Sequence, residues 1–223
     1  MLGIDVQELL RILSRAAVPG LLAITLHEVA HGWAAKQLGD PTAQMLGRLT
    51  INPLKHVDLL GTVLVPLAML LFAPPGLLFG WAKPVPVTTE NLRSRKRDMA
   101  IVAIAGPASN LLMAVVWSLL AKFVIVAFGT TGSVVDWALG ACVFGMWINT
   151  VLAVVNLLPV PPLDGGRILV ALLPARVSDA VERIEPFGII IVILLMVSGV
   201  LGSLVEGPRD SLLAVYHSVA GLA

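Results

Sequence analysis

The sequence predicts an all-α polytopic membrane protein, with about five membrane-embedded helices and a short irregular, re-entrant segment lining a cavity between them. Two observations carry this. Hydrophobic residues make up 57% of the 223 and charged residues only 13%, against roughly a quarter charged in soluble domains. Three uncharged runs, Met99–Ala121, Trp137–Leu163 and Phe187–Val205, reach the ~20 residues that a helix needs to cross a hydrocarbon core about 30 Å thick. The net charge of +1 by itself says nothing about an acidic or nucleic-acid partner, the distribution of charge mattering more, and no nucleic acid is expected.

Taken in order, the elements begin with a first span at Ala16–Ala35, long enough to cross but interrupted by three ionisable residues. Before it, Asp5 and Glu8 stand where a cleavable leader would carry basic residues, so the N-terminus is expected to be retained. Leu59–Leu71 is a short apolar stretch that runs into "FAPPGLLFGWAKPVPV". Its prolines lack N–H donors and its glycines permit sharp turns, which predicts a looped or extended return limb. Irregular backbone at membrane depth is tolerated only against protein or a water-filled cavity, so this segment is a candidate wall or gate. Cys142 is the one cysteine, which excludes an intrachain disulfide or a thiolate cluster. With no repeat, linker or low-complexity tract, residues 1–223 read as a single membrane-embedded domain.

Basic residues favour the cytoplasmic ends of spans. They gather at Lys36, Arg48 and Lys55, at Lys83 and Arg93 to Arg97, and at Arg167, Arg176 and Arg183. This predicts that the first span ends at the cytoplasm. Arg11 and Arg15 fall at the opposite end and count against the assignment, unless the entry helix lies in the interface.

The chemistry is concentrated in "HEVAH", which holds His27, Glu28 and His31. Positions i and i+4 of a helix share a face, so both imidazoles can reach one ion, with Glu28 beside them to take a proton from bound water. Neutral imidazole suits Zn²⁺, and catalytic zinc sites combine three protein ligands with an open position. An accidental match would have to explain three ionisable groups inside a span, where they are costly and usually functional.

A third ligand is required. Among His56, Asp58, Asp136 and Asp164, depth favours Asp164, which follows the Trp137–Leu163 run at the same membrane face as His31; Asp136 lies at the far end. "NLLPVPPLDGG" breaks the helix at Pro159, Pro161 and Pro162 and could turn the carboxylate inward. The alternatives for Asp164 are a helix N-cap or an ion pair with Arg167. Asp58 suits a helix cap, and His56 a structural or accessory role. Asn110 and Asn156 need partners at membrane depth; interhelical hydrogen bonding is the default, and holding an extended substrate or an oxyanion is the alternative.

With these residues in view, the chain resembles the site-2 protease family of intramembrane zinc metalloproteases. The matching pieces are "HEVAH", "GPASN" and "NLLPVPPLDGG", and "GRLTINPLKHVDLLGT" and "FGWAKPVPV" resemble the compact bacterial members without a PDZ or CBS domain. The resemblance implies one Zn²⁺ per chain held by His27, His31 and Asp164, with Glu28 as general base. It also raises Asn156, and less directly Asn110, as substrate-positioning residues. It implies an endopeptidase of the bacterial inner membrane, its active site near the cytoplasmic side. Its partners would be the lipid bilayer and transmembrane segments of other membrane proteins, often already cut by a first protease. The alternative is a metal-binding transporter or an inactive scaffold, but the three uncharged runs lack the further ionisable residues a pore would need.

Overall fold

A computed structural model describes residues 6–72 and 80–222. Among them there are helices, turns and extended loops but no strand. The helices are α1 (Val6–Gln37), α2 (Thr42–Met45), α3 (Val65–Phe72), α4 (Arg95–Phe128), α5 (Ser133–Asn156), α6 (Asp164–Leu172), α7 (Ala175–Glu182), α8 (Gly188–Val197) and α9 (Val200–Ala220).

Three of these, α1, α4 and α5, are long and apolar enough to cross a membrane, and they pack on one another as a three-helix core. The 34 residues of α4 span ~50 Å at about 1.5 Å per residue, so its basic first turn extends past a ~30 Å hydrocarbon layer. Side chains are sorted as lipid solvent demands. Buried positions hold small residues such as Ala23, Ala103, Ala114, Ala121 and Ala153, while Leu112, Leu119, Phe123, Ile190 and Leu194 face outward. Water gives no reason for helices to associate inside lipid, so close approach of small residues and interhelical hydrogen bonds hold the core together.

The chain alternates between the two ends of this core. The C-terminal end of α1, the start of α4 and the start of α6 share one end, which brings Lys36, Arg95 and Arg167 together. At the other end Arg15 Nη2 lies 2.5 Å from Asp136 Oδ2 and Arg11 Nη2 3.1 Å. The indole of Trp137 donates to Ser14 Oγ at 3.0 Å. Both arginines that count against the orientation thus share one carboxylate, in the first turn of α5.

Three expectations change in detail. The Phe187–Val205 run is not one continuous helix: Gly199 adopts φ +76°, and the pair ending in α8 and beginning with α9 bends by 78°. A left-handed residue there ends one helix and caps the next, which glycine does without steric cost. The helix of the Trp137–Leu163 run stops at Asn156, ahead of its prolines. Leu59–Leu71 forms a π-helical turn, Leu59–Leu64, that passes into α3. It is capped by Asp58, whose carboxylate accepts from Gly61 N at 2.7 Å. Most of the return limb from Phe72 to Phe79 lies outside the described residues. From Gly80 to Thr88 the backbone is extended, forming a strap over α1.

Candidate metal centre

His27 and His31 lie one turn apart on α1 and both face α4. Each ring is held from behind by that helix: His27 Nδ1 is 2.5 Å from Asn110 Oδ1, and His31 Nδ1 is 2.7 Å from the carbonyl oxygen of Val102. A carbonyl can only accept, so His31 carries its proton on Nδ1. The Asn110 amide nitrogen already donates to Ala23 O (3.1 Å) and Asn149 Oδ1 (2.9 Å), which leaves Oδ1 to accept from His27 Nδ1. Both tautomers are therefore set, and both Nε2 atoms present lone pairs.

Those atoms meet. The two Nε2 are 3.0 Å apart, with the rings edge-on at 85°. Asp164 Oδ2 stands 3.2 Å from His27 Nε2 and 3.3 Å from His31 Nε2. That oxygen is buried and has no hydrogen-bond partner. Three acceptors thus converge within 4.8 Å without a donor among them. Buried polar groups are ordinarily paired, and a cluster of lone pairs is satisfied by a cation. Two imidazoles and one carboxylate form a donor set that suits Zn²⁺ and leaves a fourth position open. The residues fit the metal.

The approach depends on Gly106. A Cβ at that position of α4 would overlap His31 Nε2 and come within 2.7 Å of His27 Cε1. Pro107 follows it, so Ala103 O lacks its usual intrahelical donor in the turn beside Val102. On the Asp164 side, the chain leaves α5 through Pro159, Pro161 and Pro162 and restarts at α6, which packs on α4. Gly165 and Gly166 let that first turn sit directly on the backbone of Leu157, Leu158 and Pro161, where a Cβ would overlap. Neither alternative for Asp164 is realised among the described residues: Leu163 occupies the N-cap position without a side-chain cap, and the Asp164 carboxylate faces the two histidines rather than Arg167.

Glu28 is half-buried and turned toward the strap, where its Oε2 accepts from Val85 N at 2.7 Å. Asn110 differs from one expectation for it. It is fully buried, and its amide is spent on His27, Ala23 and Asn149. Such a group fixes an imidazole, and both of its N–H donors are already taken within the helix core. Asn156 closes α5, half-buried, donating to Leu152 O at 2.9 Å. His56 is away from the cluster, fully buried, with Nε2 2.9 Å from Thr50 O. Sequence reasoning passed over Asn149, fully buried in mid-span and donating to Gly145 O at 2.8 Å. The signal was an amide in an apolar run, four residues after a glycine. It also passed over the Val102 carbonyl, for which no side-chain signal exists.

The chain is similar to known proteins over most of its length. Residues 120–199 match the family model described as peptidase family M50. The protein titled "Putative zinc metalloprotease YwhC" of Bacillus subtilis is 36% identical over 208 residues, covering 89% of this chain and 89% of its own. "Putative zinc metalloprotease Rip2" of Mycolicibacterium smegmatis is 32% identical over 178 residues, 80% of this chain and 64% of its own. The Rip2 of Mycobacterium tuberculosis H37Rv is 26% identical over the same shares. No solved structure matches the chain.

Proposed function

This chain belongs to peptidase family M50, and from that premise we propose that it is an intramembrane endopeptidase, cutting peptide bonds in or near transmembrane segments of other membrane proteins. It is a multi-pass membrane zinc metalloprotease; the intramembrane substrate and the residue roles are our reading. In it, His27, His31 and Asp164 hold the Zn²⁺, Glu28 is the general base and Asn156 positions the substrate backbone. The whole chain acts as one membrane-embedded domain. The observation that carries the reading is the convergence of three buried lone-pair donors, at 3.0–3.3 Å from one another, at the end of three apolar helices.

When bound, Zn²⁺ supplies a Lewis acid that polarises the scissile carbonyl and lowers the pKa of water. The protein's own part begins with α4, which keeps both imidazoles neutral at Nε2 through Asn110 and Val102. Glu28, fixed at Oε2 by Val85, has Oε1 left to take the proton from the attacking water and pass it to the leaving amine. A helical substrate hides its carbonyls in its own hydrogen bonds, so it must unwind locally to reach the site. The proline-broken turn from Leu157 to Leu163 and the extended strap flank the cluster with non-helical backbone, which suits an unwound segment. The shared location of Lys36, Arg93 to Arg97 and Arg167 supports a cytoplasmic-side site in a bacterial inner membrane. Prior trimming of the substrate by another protease fits the same reading.

The test is cleavage of a reporter membrane helix by purified protein, native against Glu28→Gln. Loss of cleavage with retained zinc is expected. Chelator-insensitive cleavage by the variant at the native rate would overturn the mechanism.

A further inference from the structure

The strap from Trp81 to Thr88 carries a backbone group that hydrogen-bonds Glu28, and its construction is unusual. Pro84 and Pro86 have no N–H, so Val85 supplies the only backbone donor between Lys83 and Val87, and Glu28 takes it. A segment with alternate prolines cannot be laced into a regular ladder. It is held by separate fastenings instead. At one end Trp81 N and Lys83 N donate to Gly61 O (3.0 Å) and His56 O (2.9 Å). In the middle the buried Arg48 donates from Nη2 to Lys83 O (2.8 Å) and Pro84 O (3.3 Å). At the other end Asp40, fully buried, accepts from Thr88 N at 2.7 Å, and also from Asn91 Nδ2 (2.9 Å), Thr42 N (3.1 Å) and the Thr42 hydroxyl.

The strap lies close on α1. A Cβ on Gly32, one turn after Glu28, would meet Val85 Cγ1 at 2.9 Å and Leu49 Cδ2 at 2.7 Å. Val85 therefore sits over the Glu28–Gly32 face at a height set by glycine and at a register set by Arg48 and Asp40. Neither of these two contacts the metal cluster, which depends on α4 and α6.

We propose that Asp40 and Arg48 are positioning residues for the reaction: by pinning the strap on either side of Val85 they aim the Glu28 carboxylate. This rests on the reading of Glu28 as the base. It separates two properties that loss of fold would move together, since zinc binding is held by α4 while the aim of Glu28 is held by the strap.

The experiment uses the full-length protein in detergent or proteoliposomes, as native, Asp40→Asn, Arg48→Met, Arg48→Lys and Glu28→Gln. For each, bound zinc, kcat and KM on a reporter membrane helix, and hydrogen exchange of the peptide containing Val85 are measured. Asp40→Asn and Arg48→Met are expected to keep one zinc and a KM within about twofold, to lose tenfold or more in kcat per bound zinc, and to exchange at Val85 at least tenfold faster. Arg48→Lys should recover part of both. Native kcat per zinc in Asp40→Asn and Arg48→Met overturns the inference, as does a loss of zinc in step with activity. If Asp40→Asn does not fold, the Arg48 pair carries the test. Turnover by Glu28→Gln would overturn the base assignment instead, a result the strap variants do not imitate.

Discussion

Asn110→Ala tests whether the amide behind His27 belongs to the metal centre. The native bond is 2.5 Å and fully buried, so water does not stand ready to replace it. Without the acceptor, the His27 proton is free to move to Nε2, the atom that must bind the metal. Partners of this kind are worth 10–100-fold in metal affinity, or about 1.4–2.7 kcal/mol, and the depth of burial points to the upper part of that range. The same change strands Asn149 Oδ1, at about 1–3 kcal/mol for a buried group left unsatisfied, while Ala23 O keeps its donor within α1, so some loss of thermal stability accompanies it. Zinc affinity is read by competition with a chelator of known strength, on folded protein only. Asn156→Ala is the control, because its amide bonds to Leu152 O and touches neither ligand; it should bind zinc within twofold of native. Folded Asn110→Ala that binds zinc as native does would refute the orientation argument.

Three further outcomes follow from the same geometry. Gly106→Ala should cut zinc affinity tenfold or more, measured by the same competition, although alanine for glycine inside a helix normally gains about 0.5–1 kcal/mol; the new methyl would overlap His31. Asp40 lies beyond the end of α1, where burial alone would raise its pKa, but hydrogen bonds from Asn91, Thr42 and Thr88 outweigh this and hold it below the usual value. Its stabilising contribution is complete above the unfolded pKa of about 3.9 and disappears as pH falls through the lower folded value. Urea unfolding between pH 6 and pH 3 should therefore show a stability loss below about pH 4 that is shallower in Asp40→Asn, and equal slopes would contradict it. Stripping the metal with chelator should abolish cleavage and zinc should restore it, with the helical content by circular dichroism unchanged, since α1, α4 and α5 also pack on one another outside the cluster.

What the sequence made legible, and what it did not, follows from where each group resides. His27, Glu28 and His31 announce themselves because hydrocarbon penalises them and helix periodicity aligns two of them. Asp164 is visible by depth and by the prolines before it. Asn110 stands out as an amide in a span, yet its partners are set by how α1, α4 and α5 meet, which no local pattern encodes; its buried position argues for the interhelical role over contact with substrate. The Val102 carbonyl and the Val85 N–H are backbone groups and carry no side-chain signature at all. The bend at Gly199 is hidden for a related reason, since membrane helices often contain glycine without breaking. The shared partner of Arg11 and Arg15, Asp136, lies more than a hundred residues away and no local pattern links them.

The distance along the chain between the ligands has a consequence for biogenesis. His31 and Asp164 are separated by 133 residues, and α4, which sets both imidazoles, comes between them. A nascent chain threading into the membrane presents "HEVAH" first, as two untethered histidines and an acid. It gains their tautomers when α4 docks and its last ligand only after α6 has emerged. If these groups are the ligands, the chain lacks a complete metal site through most of its synthesis. On the proposed reading, the three groups meet only once the helices that confine them are in place.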